Sequence, residues 1–254
     1  MLPKTVIAHR GMSTLAPENT ITAFSLCREF NIQWFECDVD IIADDTLIIF
    51  HDSDLARCCD IDGSVYALTK ASLPRINVFP WRGNPYTNEK IPTFSDLIQV
   101  VNHLGLSVNI EIKSNEYSAG RARRLISLLS AEIRKIADPT KVIISSFNPL
   151  LLYDFKKKSE STATALLTGR NSLNPDSRVI AEYTGCDYIH PFHGDITRQT
   201  LNDLLLHNLK VNAWTVNSVS RANELFNWGV TGVFTDYAQN FRHFLPAKNT
   251  GKCP

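Results

Sequence analysis

Two pairs of ionisable residues with i, i+2 spacing stand out in this chain: Glu36 and Asp38 inside Trp34–Ile41, and Glu111 and Lys113 at the end of Val108–Lys113. On a strand, that spacing sends both side chains off one face and turns the residues between them, Cys37 and Ile112, toward the other. Three carboxylates facing one space repel each other and rise in pKa unless a cation sits among them. Oxygen-only ligands suit one hard divalent cation, Mg²⁺ or Ca²⁺, better than zinc. A plainer reading competes with it, in which each carboxylate pairs with Lys113, Arg10 or another base as a structural salt bridge, and spacing alone does not choose between the two. Asp40 shares the face of Glu36 and Asp38, but one step nearer the rim it reads as a solvated edge charge.

These residues need a scaffold that gathers strand ends. Short β-branched runs recur at Thr5–His9, Trp34–Ile41, Leu47–His51, Val108–Lys113, Lys141–Phe147, Thr164–Leu167, Asp187–His190, Lys210–Val216 and Gly232–Asp236. Helix-period segments lie between them at Thr20–Phe30, Phe94–Leu104, Ala119–Ile136, Leu150–Lys158, Thr197–Leu206 and Ser220–Trp228, with Asn19 and Asn148 read as helix starts. Such alternation implies a parallel sheet, and about eight units in about 250 residues is the size of a closed (β/α)₈ TIM barrel. One strand is surplus: Leu47–His51 follows its predecessor too soon for a crossover helix and reads as a strand folding back beside it. The stretch from Asp52 to about Ile91 has no clear helical period and reads as a small insertion after the second strand, an inserted lobe in one domain spanning 1–254. His9-Arg10, Glu36 and Asp38, His51-Asp52, Glu111 and Lys113, and Trp214 all fall late in their runs, at ends that a parallel barrel brings to one mouth.

Composition narrows the function. Apolar residues make up 44% and charged residues 20% of the 254, enough to bury a sizeable core. Lys and Arg number 26 against 26 Asp and Glu, which argues against a nucleic-acid binder and against an electrostatic membrane anchor. The first residues, Met1 to Val6, lack the roughly 7–15-residue apolar core of a signal peptide, and no apolar run approaches the ~20 residues of a membrane span. The cysteines at 27, 37, 58, 59, 186 and 253 form no C-x-x-C pair. The expectation is a soluble, reduced, cytoplasmic protein; its oligomeric state is not readable.

Taken in order, His9-Arg10-Gly11, Pro17-Glu18-Asn19-Thr20, Glu36-x-Asp38, His51-Asp52, Ile91-Pro92-Thr93, Glu111-Ile112-Lys113, Ser146-Phe147, Trp214-Thr215-Val216-Asn217 and Thr235-Asp236 resemble the glycerophosphodiester phosphodiesterase family, of the cytoplasmic bacterial type, from about residue 5 to residue 240. Asp44-Asp45-Thr46 and Ala238 depart from its usual pattern at positions that carry no chemistry. The resemblance implies a (β/α)₈ barrel with an insertion after the second strand. It also implies hydrolysis of soluble glycerophosphodiesters, which are deacylated phospholipids, to glycerol 3-phosphate and an alcohol. It assigns Glu36, Asp38 and Glu111 to a divalent metal, His9 and His51 to acid–base catalysis, and Arg10 and Lys113 to the substrate phosphate.

That chemistry needs several parts. One general acid or base contributes roughly 10²–10⁴-fold, so two reach at most about 11 kcal/mol. Slow phosphate hydrolysis calls for the upper part of the ~8–23 kcal/mol range of enzymes. Attack by the glycerol hydroxyl beside the phosphate, through a cyclic phosphate, would add roughly 7–11 kcal/mol by effective concentration. Trp214, Phe147 and His190 are read as substrate-pocket residues. His190 and His193, spaced H-x-x-H, also pose a second metal site against a rim loop that shapes the pocket, and the loop is the stronger reading. His103, His207 and His243 read as surface residues. Two other functions compete: a phospholipase-D-like lyase on lipid head groups that stops at the cyclic phosphate, and a non-catalytic binding barrel. The preferred alcohol, Mg²⁺ against Ca²⁺, the histidine that acts first as base and the role of the lobe stay open.

Overall fold

The computed structural model describes residues 4–79, 86, 88–113 and 118–245. Among them nine strands form one sheet in the order β1-β9-β8-β7-β6-β5-β4-β2-β3, and a β1–β2 pairing closes it. In chain order these are β1 (Thr5–Ala8), β2 (Trp34–Ile41), β3 (Leu47–Ile49), β4 (Ser107–Ile112), β5 (Val142–Ser146), β6 (Ala163–Thr168), β7 (Tyr188–Pro191), β8 (Lys210–Ala213) and β9 (Gly232–Thr235). All neighbours run parallel except β3, which lies antiparallel on β2. The fold is therefore a closed eight-stranded (β/α)₈ barrel with one strand folded back on its outer rim.

The helices are α1 (Ile21–Glu29), α2 (Phe94–Leu104), α3 (Ala119–Glu132), α4 (Pro149–Lys158), α5 (Pro175–Tyr183), α6 (Arg198–Leu206) and α7 (Val219–Trp228). α2 shows why they form. Thr93 and Asp96 close a capping box, Phe94, Leu97, Ile98 and Val101 bury one face, and Gly105 ends the helix in the left-handed region. α5 is absent from the sequence reading. It has a good start, Asn174 capped reciprocally with Ser177 and Pro175 in the first turn, but only Ser177 and Ala181 are buried, so no apolar stripe marks it. α1 also differs in detail: its cap is Thr20, whose hydroxyl accepts from the Ala23 amide, and Asn19 precedes it with a left-handed backbone.

The main core lies between the sheet and the helices, and Cys37 and Ile112 are buried in it. The barrel interior is partly polar. Asn109 donates to Ser145 (2.8 Å), and Asn212 donates to His190 Nε2 (3.1 Å). A Cβ at Gly232 would lie 2.6 Å from the Asn212 carboxamide oxygen, so the glycine leaves room for that side chain. A second apolar cluster sits beyond β3: Ile42, Ile48 and Phe50 pack with Leu55, Cys58, Cys59, Val65, Leu68, Leu73, Ile76, Val78 and Ile91. Cys27, Cys37, Cys58, Cys59 and Cys186 are buried free thiols, while Cys253 lies outside the described residues. No helix among the described residues is long and apolar enough to cross a membrane.

Candidate active site

A cavity of ≈ 230 Å³ opens at the C-terminal ends of the strands, lined by His9, Arg10, Glu36, His51, Asn109, Glu111, Lys113, Ser145, Phe147, Leu167, Trp214, Thr215 and Phe234. Sheet register builds its acidic wall. Asp38 lies opposite Glu111 and Glu36 opposite Asn109, so the i, i+2 pairs of β2 and β4 meet side by side. One carboxylate oxygen from each of Glu36, Asp38 and Glu111 lies within 4.8 Å of the other two.

His51 reaches the same space by a less obvious route. A strand antiparallel to β2 should deliver its end away from the mouth. β2 overshoots the rim, however, and β3 runs back along the excess, so the Phe50 amide bonds to the Asp38 carbonyl (3.0 Å) and His51 stops level with the carboxylates. His9 and Arg10 leave β1 through a tight turn. Arg10 has φ 57° and Gly11 φ 80°, and a Cβ on Gly11 would come within 2.8 Å of Ala23. The turn aims the Arg10 amide at Glu36 Oε2 (2.8 Å).

Each histidine is oriented through Nδ1. His9 bonds to Asp236 (2.7 Å) and His51 to Asp52 (2.5 Å), which directs proton exchange to Nε2 in both rings. Asp236 is itself held by the Asn217 carboxamide (2.8 Å) and, at its backbone amide, by the Asn217 oxygen (3.0 Å). Arg10 donates to Glu18 (2.8 Å) and lies 3.6 Å from Asp38; Lys113 donates to Glu111 (2.7 Å) and lies 3.5 Å from Asp38.

The charges set the protonation states. Burial, then the neighbouring Asp38, pushes the Glu36 carboxyl up to about 8. Burial and Asp38 raise Glu111 as well. For Asp38, burial is outweighed by Lys113, Arg10, His51 and a hydrogen bond from Asn19, which bring it down to about 2. Burial would lower His9, but the Asp236 hydrogen bond and Glu36 raise it above its ordinary value.

These residues fit a hard divalent cation. Glu36 Oε1 and Asp38 Oδ1 are buried and accept no hydrogen bond, the donor set is all oxygen, and the strained protonation of Glu36 is the one a cation relieves. Both readings of the carboxylates hold geometrically, since Arg10 and Lys113 also pair with them.

Trp214 and Phe147 stand edge to face at 5.6 Å and line the same cavity. His190 is not brought to the cavity. It is fully buried in the barrel, held by Asn212, and stacked edge-on behind Phe234 (5.0 Å), with burial pushing it down to about 3, so it stays neutral. Its carbonyl accepts from the Trp214 indole (2.9 Å). Among the described residues the carboxylate trio is the one group of three or more with metal-ligand spacing, and neither His190 nor His193 belongs to it. Asp40 is no solvated edge charge: it is buried and accepts from the Tyr66 hydroxyl (2.8 Å), because the second apolar cluster covers it.

Several site residues went unread. Asn19 serves the site as well as the turn before α1, donating to Asp38 Oδ2 (2.8 Å) while the Asp38 amide donates back (3.2 Å). Asn109 lies two residues before Glu111 on the same face, a signal that was present in the spacing. Glu18, Asn217 and Asp236 stand in the motifs that carry the resemblance, but no role attaches to them there, and Arg57 has no local pattern to mark it.

The model of the glycerophosphoryl diester phosphodiesterase family matches residues 9–240. The chain belongs to this family. It is 30% identical over 232 residues to a glycerophosphodiester phosphodiesterase of Caldanaerobacter subterraneus, spanning 91% of this chain and 93% of that one. It is 28% identical over 249 residues to one of Bacillus subtilis, spanning 92% and 84%. An Oleispira antarctica phosphodiesterase, solved in complex with the product sn-glycerol-3-phosphate, matches with a TM-score of 0.88 at 30% identity over 97% of this chain and 98% of that one. This family member is thus a phosphodiesterase by kinship, with the expected barrel beneath it.

Proposed function

We propose that the cavity hydrolyses soluble glycerophosphodiesters to glycerol 3-phosphate and an alcohol, with His9 and His51 exchanging protons and Glu36, Asp38 and Glu111 holding one divalent cation, Mg²⁺ or Ca²⁺. The observation that carries this reading is the meeting, in one cavity, of two carboxylate-oriented histidines, a carboxylate trio and two cationic side chains. The Oleispira antarctica relative was captured with the product this reaction would release.

Arg10 and Lys113 offset the charge of the non-bridging phosphate oxygens as it grows toward the transition state. When bound, the cation adds positive charge at the same oxygens. One imidazole Nε2 takes the proton of the glycerol hydroxyl adjacent to the phosphate as that oxygen bonds to phosphorus. The bond to the alcohol breaks, and the other imidazolium gives its proton to the leaving oxygen. In the cyclic phosphate that results, water attacks phosphorus, losing its proton to the second imidazole, and the ring oxygen departs with the proton held by the first. Both rings return to their starting states. Trp214 and Phe147 form an apolar wall for the glycerol or the alcohol.

The test is an assay of glycerol 3-phosphate release from glycerophosphocholine, glycerophosphoethanolamine and related esters, with and without chelator, followed by ³¹P spectroscopy. Chelator-sensitive release through a transient cyclic phosphate is expected. A cyclic phosphate as end product would establish the lyase instead, and no turnover with either cation would establish the non-catalytic barrel.

A further inference from the structure

Arg57 touches none of the cavity's reactive groups, yet three of its donors are committed to their supports. Nε donates to Asp52 Oδ2 (2.5 Å), Nη1 to Glu18 Oε2 (2.9 Å) and Nη2 to Glu18 Oε1 (2.8 Å). The two carboxylates are used from both sides. Asp52 turns its other oxygen to His51 Nδ1 (2.5 Å), and Glu18 Oε1 also accepts from Arg10 Nη1 (2.8 Å). A continuous row, His51–Asp52–Arg57–Glu18–Arg10, therefore joins one of the two histidines to one of the two cations that face the phosphate.

The local sequence explains how a loop residue is held firmly enough for this. Arg57 sits in Asp52-Ser-Asp-Leu-Ala-Arg-Cys-Cys. Leu55, Cys58 and Cys59 are buried in the second apolar cluster, the Leu55 amide bonds to the Gly63 carbonyl (2.9 Å), and the amides of Cys58 and Cys59 fold back on the Leu55 carbonyl. Leu55 and Cys58-Cys59 anchor the turn from either side, and Arg57 leaves it toward the barrel. A stabilising role does not account for the arrangement: the side chain is about half exposed, where ion pairs add little and ordering a long side chain costs entropy. The planar fork does account for it, since Lys carries its three N–H donors on a single nitrogen and cannot meet Glu18 with two parallel bonds while also reaching Asp52.

We propose that Arg57 is the positioning residue through which the inserted segment fixes His51 and Arg10 relative to each other; this rests on the phosphodiesterase reading of the cavity. Without the fork, Asp52 is free to turn away from Nδ1 and Glu18 to swing from Arg10, so the imidazole loses its preferred tautomer and the phosphate clamp loses its backing.

The experiment compares the full-length wild type with Arg57→Gln, Arg57→Lys, Asp52→Asn and the Arg57→Gln/Asp52→Asn double variant, using glycerophosphocholine and saturating divalent cation. Arg57→Gln is expected to lower kcat roughly 10–100-fold with melting temperature within about 2 °C of wild type. Arg57→Lys should give a comparable loss, and the double variant should be no slower than Asp52→Asn alone. A second readout needs neither turnover nor cation: long-range ¹H–¹⁵N imidazole spectra of chelated protein, at a pH where the ring is neutral. Wild type should show His51 as the Nδ1–H tautomer, and Arg57→Gln a mixture. A kcat within twofold of wild type, full recovery by lysine, an additive double variant or an unchanged tautomer would each overturn the proposal. A wild type that turns nothing over would instead remove the phosphodiesterase reading, and the spectra would still decide whether Arg57 positions His51.

Discussion

The two histidines carry the same Nδ1–carboxylate bond in opposite settings. His9 finds its partner 227 residues away, at the end of the last strand, and Asp236 is in turn fixed by Asn217 beyond β8. His51 bonds to its own neighbour Asp52, which is steadied from outside the barrel by Arg57. One pair is built by closing the sheet; the other is local in sequence and depends on the insertion for its aim. Equivalent chemical parts thus rest on different mechanical supports, and substitutions should separate the two.

Removing the rings is the coarsest way to break the symmetry. His9→Ala and His51→Ala should each lower kcat by roughly 10²–10⁴-fold, with the double variant no worse than the poorer single one, because the pair acts as a unit. Steady-state turnover that survives either change would show that the two are not partners. Removing the orienting carboxylates should be milder, roughly 10–100-fold in kcat for both Asp236→Asn and Asp52→Asn. The stability effects should diverge. Asp236 ties the first strand to the last, so a loss of about 1 kcal/mol should cost roughly 2–4 °C of melting temperature, while Asp52→Asn should melt close to wild type in a thermal scan.

Between the histidines, Glu36 makes the chelated state lopsided, since its Oε2 lies 3.9 Å from His9 Nε2. With its carboxyl pushed up to about 8 in the fold, against an ordinary value of 4.5, the folded protein binds more protons than the unfolded chain between those limits. Stability of chelated protein should therefore fall as pH rises from about 5 to 8, and Glu36→Gln or added Mg²⁺ or Ca²⁺ should flatten that slope. Calorimetry in buffers of different ionisation enthalpy should find about one proton released on cation binding at pH 7, and none from Glu36→Gln. The smallest effect on turnover is expected at the root of the insertion. Tyr66→Phe removes the hydroxyl that serves buried Asp40, which should cost about 2 kcal/mol in denaturant unfolding and leave kcat within twofold.

Much of this molecule is legible in its sequence because its signals are periodic. Alternation of strand and helix gives the barrel, and i, i+2 spacing places Glu36, Asp38 and Glu111 on the inner faces of β2 and β4, where the register brings them together with Lys113 just past the end of β4. What stays hidden is set by contacts distant in sequence. Whether Asp40 meets water or Tyr66 depends on a lobe without periodic order. His190 resembles a rim residue until the pairing of β7 shows it sealed behind Phe234. α5 escapes because the residues it buries are a serine and an alanine, and Asn19 escapes because a helix start and a carboxylate support ask for the same side chain. Arg57 belongs to the same class, being an arginine in a loop until its three partners are seen together.

The bond between His9 and Asp236 also has a meaning for synthesis. His9 is synthesised 227 residues ahead of Asp236, so β1 waits through that length of chain for its partner strand β9. A nascent chain that has not reached Asp236 therefore presents His9 without the carboxylate that orients it, and competence waits for β9.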